Sequence, residues 1–352
     1  MAFSLVLSLF IISLSGISSV EVQGSPTVDE DLTFLQGDEN IDFHQEQIYF
    51  RRSLKRQAFL NSQQKKTNHS AKYAVNQFSH LSPKQFKGIC RFFQIDVLYT
   101  ININTALSFS ERYLTSWAET APKFDPSSLE GLFKSNFPPK FDWRDHGVVG
   151  AVRNQGACGG CWAFSVVEAI ETMCAIEGGK LQQLSVQQVI DCSYENKGCN
   201  GGSPVGTLIW LSQTRLKLVS EAEYPFKGVD GMCQIFPQAH AGVALRNSST
   251  YDFSGQEEAM KNALVQWGPL VVIVDAVSWQ DYMGGIIQHH CSSHRANHAV
   301  LIIGYDTTGE VPYWIVRNSW GTSWGDGGYV YVKLGSDMCG IAESVTAVTV
   351  LR

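Results

Sequence analysis

Apolar residues recur at helical spacing through the middle of this chain and in strand-like runs towards its end. Cys161–Ile176 carries the three-to-four-residue period of a buried helix and stops at Gly178-Gly179. Ser185-Val-Gln-Gln188 has the form of a capping box and predicts a second helix. Pro204 suits the first position of a third, where a missing N–H costs nothing. Ser254-Gly-Gln-Glu257 predicts a fourth start, closed by Gly268-Pro269. Beyond that point β-branched and aromatic residues dominate. Leu270–Val277, Ala299–Asp306, Pro312–Val316 and Gly328–Leu334 read as strands, with Thr307-Thr-Gly-Glu310 as a turn. Helices followed by strands predict an α+β fold. Two subdomains are expected, at about 148–250 and about 251–345, with a cleft between them. No internal repeat is visible.

The chain before residue 137 has another character. Ala2–Ile17 is a short apolar run followed by small residues, so residues 1–24 read as a signal peptide rather than a membrane span. Residues 25–90 are polar and helical, with Phe50, Leu54 and Phe59 set among charges. Phe92–Ile103 is apolar and β-prone, and Pro126–Pro139 reads as an exposed, cleavable connection.

Composition narrows the class. Of 352 residues, 44% are apolar and 17% charged, which suits a large core and argues against general disorder. The net charge of −6 arises in residues 137–352, which hold 14 basic and 20 acidic side chains, while residues 1–136 balance 13 against 13. No basic face for nucleic acid emerges, and no stretch after the leader is long enough for a stable membrane anchor. Asn68-His-Ser70 and Asn247-Ser-Ser249 are glycosylation acceptors, consistent with a secretory route.

The chemistry concentrates in Gln155-Gly-Ala-Cys-Gly-Gly-Cys161-Trp-Ala-Phe164. It sets a thiol where a glycine-rich turn enters a helix, and unpaired N–H groups there favour the thiolate, the nucleophilic form. His298, in Asn-His-Ala-Val, and Asn318, in Arg-Asn-Ser-Trp-Gly, lie 137 and 157 residues downstream (298 − 161 and 318 − 161). Three rivals stand beside a nucleophilic Cys161. Cys158-x-x-Cys161 has the spacing of a dithiol redox motif, but no strand lies directly upstream. The cluster from His289 through Cys291 and His294 to His298 shows no structural-zinc spacing. An inactive binding homologue would be expected to have lost Cys, His or Asn, and none is lost.

The Cys, His and Asn motifs, in their order, resemble the papain-like cysteine peptidases of the cathepsin family over essentially all of 137–352. That resemblance implies a papain-like two-subdomain fold, with a helical half and an antiparallel β-barrel-like half. It implies Cys161 as nucleophile, His298 as its ion-pair partner, Asn318 orienting the imidazole under Trp320, and Gln155 as oxyanion donor. It pairs Cys158 with Cys199, Cys192 with Cys233 and Cys291 with Cys339, and so an oxidising compartment. Cys90 and Cys174 are left over, and Cys174 falls on the buried spacing of its helix. Gly201 and Gly202 would line the backbone of an extended peptide. Ser203, Pro204, Ile273, Ala296 and Ser344 would line the pocket for the second residue before the cut, with Glu343 beside them. Nothing between Gly202 and Tyr224 matches a cleft-blocking loop, which favours endopeptidase action on proteins and peptides.

Residues 25–136 would be an inhibitory pro-segment and cleavable linker, similar to that of the cathepsin L-like group. Asn76 and Phe78 match its Gly-x-Asn-x-Phe-x-Asp motif, His80 stands at the Asp, and Phe50 and Asn61 match its helical signature. The family implies a zymogen that reaches the lysosome by the secretory route or, alternatively, is secreted, with cystatin-type inhibitors as further partners and no cofactor or metal. Two departures stand out: Gly160 in place of a Ser, and Asn297 in place of an Asp, before the catalytic pair. An Asn beside His298 supplies no charge, so the alkaline limit of activity is expected to rise in Asn297→Asp.

Overall fold

The computed structural model describes residues 38–63, 69–82, 85–86, 121–129, 137–291 and 296–351. The contacts discussed below fall within one compact unit, Asp42–Arg352. The expected signal peptide, Asn68, Cys90, His294 and Phe92–Ile103 lie outside the described residues.

Five helices are described: α1 Asp38–Ser62, α2 Cys161–Ile176, α3 Val186–Cys192, α4 Pro204–Thr214 and α5 Glu257–Trp267. Eleven strands accompany them: β1 Lys72–Tyr73, β2 Lys140–Asp142, β3 Lys217–Leu218, β4 Val243–Tyr251, β5 Leu270–Val274, β6 Tyr282–Gly284, β7 Ile286–Ile287, β8 His298–Asp306, β9 Tyr313–Arg317, β10 Tyr329–Lys333 and β11 Val345–Leu351. Among the described residues no helix is long and apolar enough to cross a membrane.

Local chemistry explains most boundaries. α2 begins and ends at the expected residues. Ser185 accepts the Gln188 N–H to start α3, but Gln188 does not complete the box. Its amide instead accepts from Val219 N and donates to Lys217 O. Pro204 opens α4 behind the Ser203 cap. The fourth expected start is corrected: Ser254 turns its hydroxyl onto Asp252, and α5 begins at Glu257 after Gln256, without a side-chain cap.

A nine-stranded sheet runs β3-β4-β11-β5-β8-β9-β10-β7, with β2 added beside β8. All pairings are antiparallel except β10 with β7. The expected barrel-like half is an open sheet, since β3 and β7 end it without meeting. β4 joins this sheet ahead of the later strands, pairing with β11. Arg246-Asn-Ser-Ser-Thr250 hides that strand from a hydrophobicity pattern, because these positions are exposed or half-buried.

Two cores lie on opposite faces of the sheet. Val300 and Ile302 of β8 join one with Leu270, Val272 and Trp314, while Leu301 and Ile303 join the other with Val167 and Ile170 of α2. Burial on both faces is why β8 reads as an unbroken apolar run.

The chain before residue 137 packs on the first of these cores. Leu60, Ala71, Tyr73, Phe78 and Phe86 share it with Trp279, Tyr282, Trp320 and Trp324. Asn61 holds Tyr73 by two backbone hydrogen bonds of 2.7 and 3.0 Å, and β1 then pairs with β6. Asn76 donates to Gln280 O at 2.8 Å.

Candidate active site

Cys161 is the first residue of α2, after Gly160, which contributes no side-chain cap. The turn before it is braced on both sides. Cys158 is bonded to Cys199, and Gly159 N donates to Cys199 O at 2.7 Å. That disulfide leaves Cys161 free and removes the dithiol reading of Cys158-x-x-Cys161. A side chain at Gly160 would bring its Cβ to 3.1 Å from Ile190 and 3.3 Å from the Cys158 sulfur, so the smallest residue fits best there.

The Cys161 thiol lies against the backbone N–H of Ala299, next to His298. β8 starts at His298, whose backbone pairs with Val274. The imidazole Nε2 is 2.7 Å from Asn318 Oδ1. That oxygen also accepts the Ser319 N–H at 2.8 Å, which fixes the amide's orientation. Nε2 must therefore carry the proton, leaving Nδ1 with the lone pair, and Nδ1 has no hydrogen-bond partner among the described residues. Trp320 stacks on the imidazole with centroids 4.6 Å apart, and Trp279 meets its edge at 6.3 Å.

Gln155 completes the group. Its amide nitrogen donates to Cys158 O at 2.8 Å, while its oxygen accepts from Ser319 Oγ at 2.6 Å. Ser319 thus orients both Asn318 and Gln155, a residue that sequence reasoning missed although it stands inside the Asn-Ser-Trp motif.

Cys161 and His298 are both fully buried. Burial pushes the thiol up to about 11, against backbone hydrogen bonds that favour the thiolate. Burial likewise pulls the imidazole down to about 4, with the Asn318 bond opposing it. Both shifts have the same cause, burial, and both favour the uncharged forms while the site is covered. The chain before residue 137 packs beside this pair, against Trp320 and Ser323. Phe78 and Phe86 each meet Trp320 edge-on at 5.4 Å, Gln77 Nε2 donates to Trp320 O at 2.7 Å, and Gln77 Oε1 accepts from Ser323.

A ladder of buried charge runs along α2, the helix that Cys161 begins. Arg317, the last residue of β9 and the neighbour of Asn318, reaches Glu168 of α2 at 3.1 Å and donates to Ala151 O at 2.6 Å. Arg153 pairs with Glu171, one turn further along α2. Burial raises Glu168, with Arg317 and Arg153 opposing, and lifts Glu171 to about 7 against Arg153. Sequence reasoning found none of the four.

The expected peptide-binding residues fall in three places. Gly201 and Gly202 follow the Cys199 turn, and a Cβ at Gly202 would meet the Trp162 ring at 2.6 Å. Ser203 spends its hydroxyl on the α4 cap, ahead of Pro204. Ile273 lies on β5 opposite Ala299, Ala296 is exposed before β8, and half-buried Glu343 and Ser344 precede β11. The expected disulfides Cys192–Cys233 and Cys291–Cys339 are both present, and the second takes Cys291 out of the histidine cluster. Cys174 is partly buried, and Asn247 is exposed on β4.

Asn297 does not act as expected. Its amide turns away from the imidazole, donating to Asp275 Oδ1 at 2.9 Å and accepting the Ala276 N–H at 3.0 Å. Asn297→Asp is therefore expected to set two carboxylates together and to lower stability by about 1–3 kcal/mol at pH 7. The shared proton would have a raised pKa, so the loss should shrink as pH falls towards 4. Denaturant unfolding at both pH values checks this. Unchanged stability with an alkaline limit that moves up would restore the sequence's expectation.

Comparisons agree with this geometry. A profile described as "Papain family cysteine protease" matches residues 137–349. Cathepsin O of Mus musculus is 54% identical over 300 residues, covering 85% of this chain and 88% of its own. Cathepsin O of Homo sapiens is 52% identical over 301 residues, covering 86% and 87%. Among solved structures, digestive procathepsin L2 proteinase from Tenebrio molitor larval midgut superposes with a TM-score of 0.73 at 28% identity, over 90% of this chain and 95% of that one. A recombinant stem bromelain precursor gives 0.69 at 28% identity, over 90% and 94%.

Proposed function

This chain belongs to the papain family of cysteine proteases, and we propose that it is the zymogen of a lysosomal cysteine endopeptidase acting on proteins and peptides. The observation that carries the reading is the imidazole tautomer: Nε2 committed to Asn318, Nδ1 free, and the thiol beside the next residue's N–H.

Once the site is open, His298 Nδ1 takes the thiol proton and the Cys161 thiolate attacks the scissile carbonyl carbon. The oxyanion so formed is held by the Gln155 amide and the Cys161 N–H, which lies in the first turn of α2, where N–H groups have no intrahelical partner. The imidazolium then protonates the leaving amine, and the C–N bond breaks to leave a thioester. Water, deprotonated by Nδ1, attacks the thioester, and the acid leaves as the thiol is restored. Asn318 keeps Nε2 protonated throughout, and Trp320 shields that bond from water. Gly201 and Gly202 let an extended peptide approach, and Pro204, Ile273, Ala296 and Ser344 line the pocket that selects it. No cofactor is implied, and cystatin-type inhibitors would compete for the same surface.

In this reading residues 1–24 are a signal peptide, 25–136 the pro-segment and linker, and 137–352 the peptidase. Entry to the secretory route would permit the disulfides and a glycan on Asn247. Acid should loosen the cover. The covered site lowers His298 from its ordinary 6.5 to about 4. An opened site therefore gains a proton between those values, and pro-segment binding weakens as pH falls from 6.5 to 4, levelling off below. The effect is at most about 3.5 kcal/mol, at roughly 1.4 kcal/mol per pH unit. The test is labelling of Cys161 by an epoxide thiol probe in uncleaved precursor from pH 7 to 4. Labelling should rise with acid, and the cleaved product, starting near Phe137, should label and hydrolyse a peptide library. A cleaved product that does neither would overturn the reading.

A further inference from the structure

Asp281 is fully buried, yet among the described residues the hydrogen bonds of its carboxylate run to side chains from before residue 137. Oδ1 accepts from Ser53 Oγ at 2.7 Å and from Ser79 Oγ at 2.8 Å. Oδ2 accepts two N–H groups of Arg56, from Nε at 2.8 Å and Nη2 at 2.5 Å. Gln57 Nε2 bridges the two serines at 3.2 and 3.3 Å. None of these donors belongs to the catalytic group.

The placement is telling in three respects. A carboxylate out of water needs several donors, and here they come from two separate stretches of the same segment, α1 and the turn after β1. A two-pronged guanidinium is the partner that this geometry fits, and an ammonium could not make both contacts. The neighbouring backbone is tied to the same segment, with Ala74 N donating to Asp281 O at 3.0 Å and β1 pairing with β6. Meanwhile His80, at the place of the acid in the related pro-segment motif, is exposed.

We propose that Asp281 is a guanidinium-binding exosite, apart from the catalytic centre, that selects this chain's own pro-segment through Arg56 and the hydroxyls of Ser53 and Ser79. The inference rests on the reading of residues 42–86 as an inhibitory cover. Its ligand is an arginine-bearing helix followed by a serine-bearing turn. Cleavage and release of that ligand strip the carboxylate of its donors together, so Asp281 contributes to the covered state and not to turnover.

The experiment uses the full-length precursor with Arg56→Gln, Arg56→Lys, Asp281→Asn and the Arg56→Gln/Asp281→Asn pair. Two readouts are taken: the rate at which the epoxide probe labels Cys161 in the uncleaved chain, and hydrogen exchange at the Tyr73 and Ala74 amides. Either charge-removing variant should raise the labelling rate about a hundred-fold, the scale of breaking a buried pair. The double variant should do no more than either single, and Arg56→Lys should recover only part. Exchange at Tyr73 and Ala74 should quicken in the same order. Mature enzyme from Asp281→Asn should label and turn over like the parent. Unchanged labelling and exchange, or single effects that simply multiply, would overturn the exosite. Arg56→Gln reports the same loss if Asp281→Asn does not fold. A parent whose mature form never labels would instead sink the peptidase reading, and exchange would still decide the exosite.

Discussion

Replacing Cys161 by Ser is expected to reduce kcat/KM by about 10⁶-fold, the scale of removing the nucleophile of a serine peptidase, and to abolish probe labelling. The hydroxyl is a far weaker acid than the thiol, so His298 Nδ1 cannot draw a useful fraction of alkoxide from it. Folding should survive. The side chain sits at the start of α2, where helix-forming bonds come from the backbone, and the turn before it is held by Cys158–Cys199. The precursor should therefore keep its three disulfides and its unfolding midpoint. Mass mapping of the probe decides the matter, because a Cys161→Ser protein labelled at Cys174, with turnover retained, would displace the assignment.

Arg317→Met is expected to cost about 3–5 kcal/mol of folding stability at pH 7, with little change in side-chain volume. It leaves Glu168 buried with only Arg153 opposing its desolvation, where Arg317 now stands 3.1 Å away. Glu168 would respond by holding its proton. A carboxyl whose folded pKa is raised has its stabilising neutral form fully present below the ordinary pKa, and loses that contribution as pH rises. The penalty should therefore be largest near neutrality and smaller at pH 4 to 5. Adding Glu168→Gln should return much of it, because the orphaned charge is gone. Denaturant unfolding in the Cys161→Ser background, which prevents self-digestion, measures all of these. A loss below 1 kcal/mol at pH 7 would show that the pair contributes nothing net. Because Arg317 adjoins Asn318 and Glu168 shares α2 with Cys161, the pair also ties the nucleophile's helix to the strand that delivers the orienting amide.

Much of this was legible in the linear chain. The period of Cys161–Ile176 foretold α2 to the residue, because burial on nearly every side selects mostly apolar side chains, with Ser165, Glu168, Glu171 and Thr172 as its buried polar exceptions. The run at β8 was equally plain, since a strand packed on both faces needs no polar alternation. Pro204 and Ser185 announced helix starts through backbone chemistry that acts within four residues. β4 was not legible, because its middle turns outward and carries Arg246-Asn-Ser-Ser, and β11 was passed over.

The same division holds at the site. The sequence by itself singled out Cys161, His298, Asn318 and Gln155 as the site residues to expect, since they stand in motifs whose residue types and order are restrictive. It could not determine their state. The free Nδ1 depends on where Ser319 N–H points, and the raised thiol and lowered imidazole pKa values depend on burial that only packing supplies. Asn297, adjacent in sequence to His298, turns to Asp275 instead, because successive residues at the entry to a strand project to opposite sides. Arg56 and Asp281 are 225 residues apart, as are groups that only folding brings together. Electrostatics acts through distance and solvent exclusion, and both quantities exist only once the chain has packed.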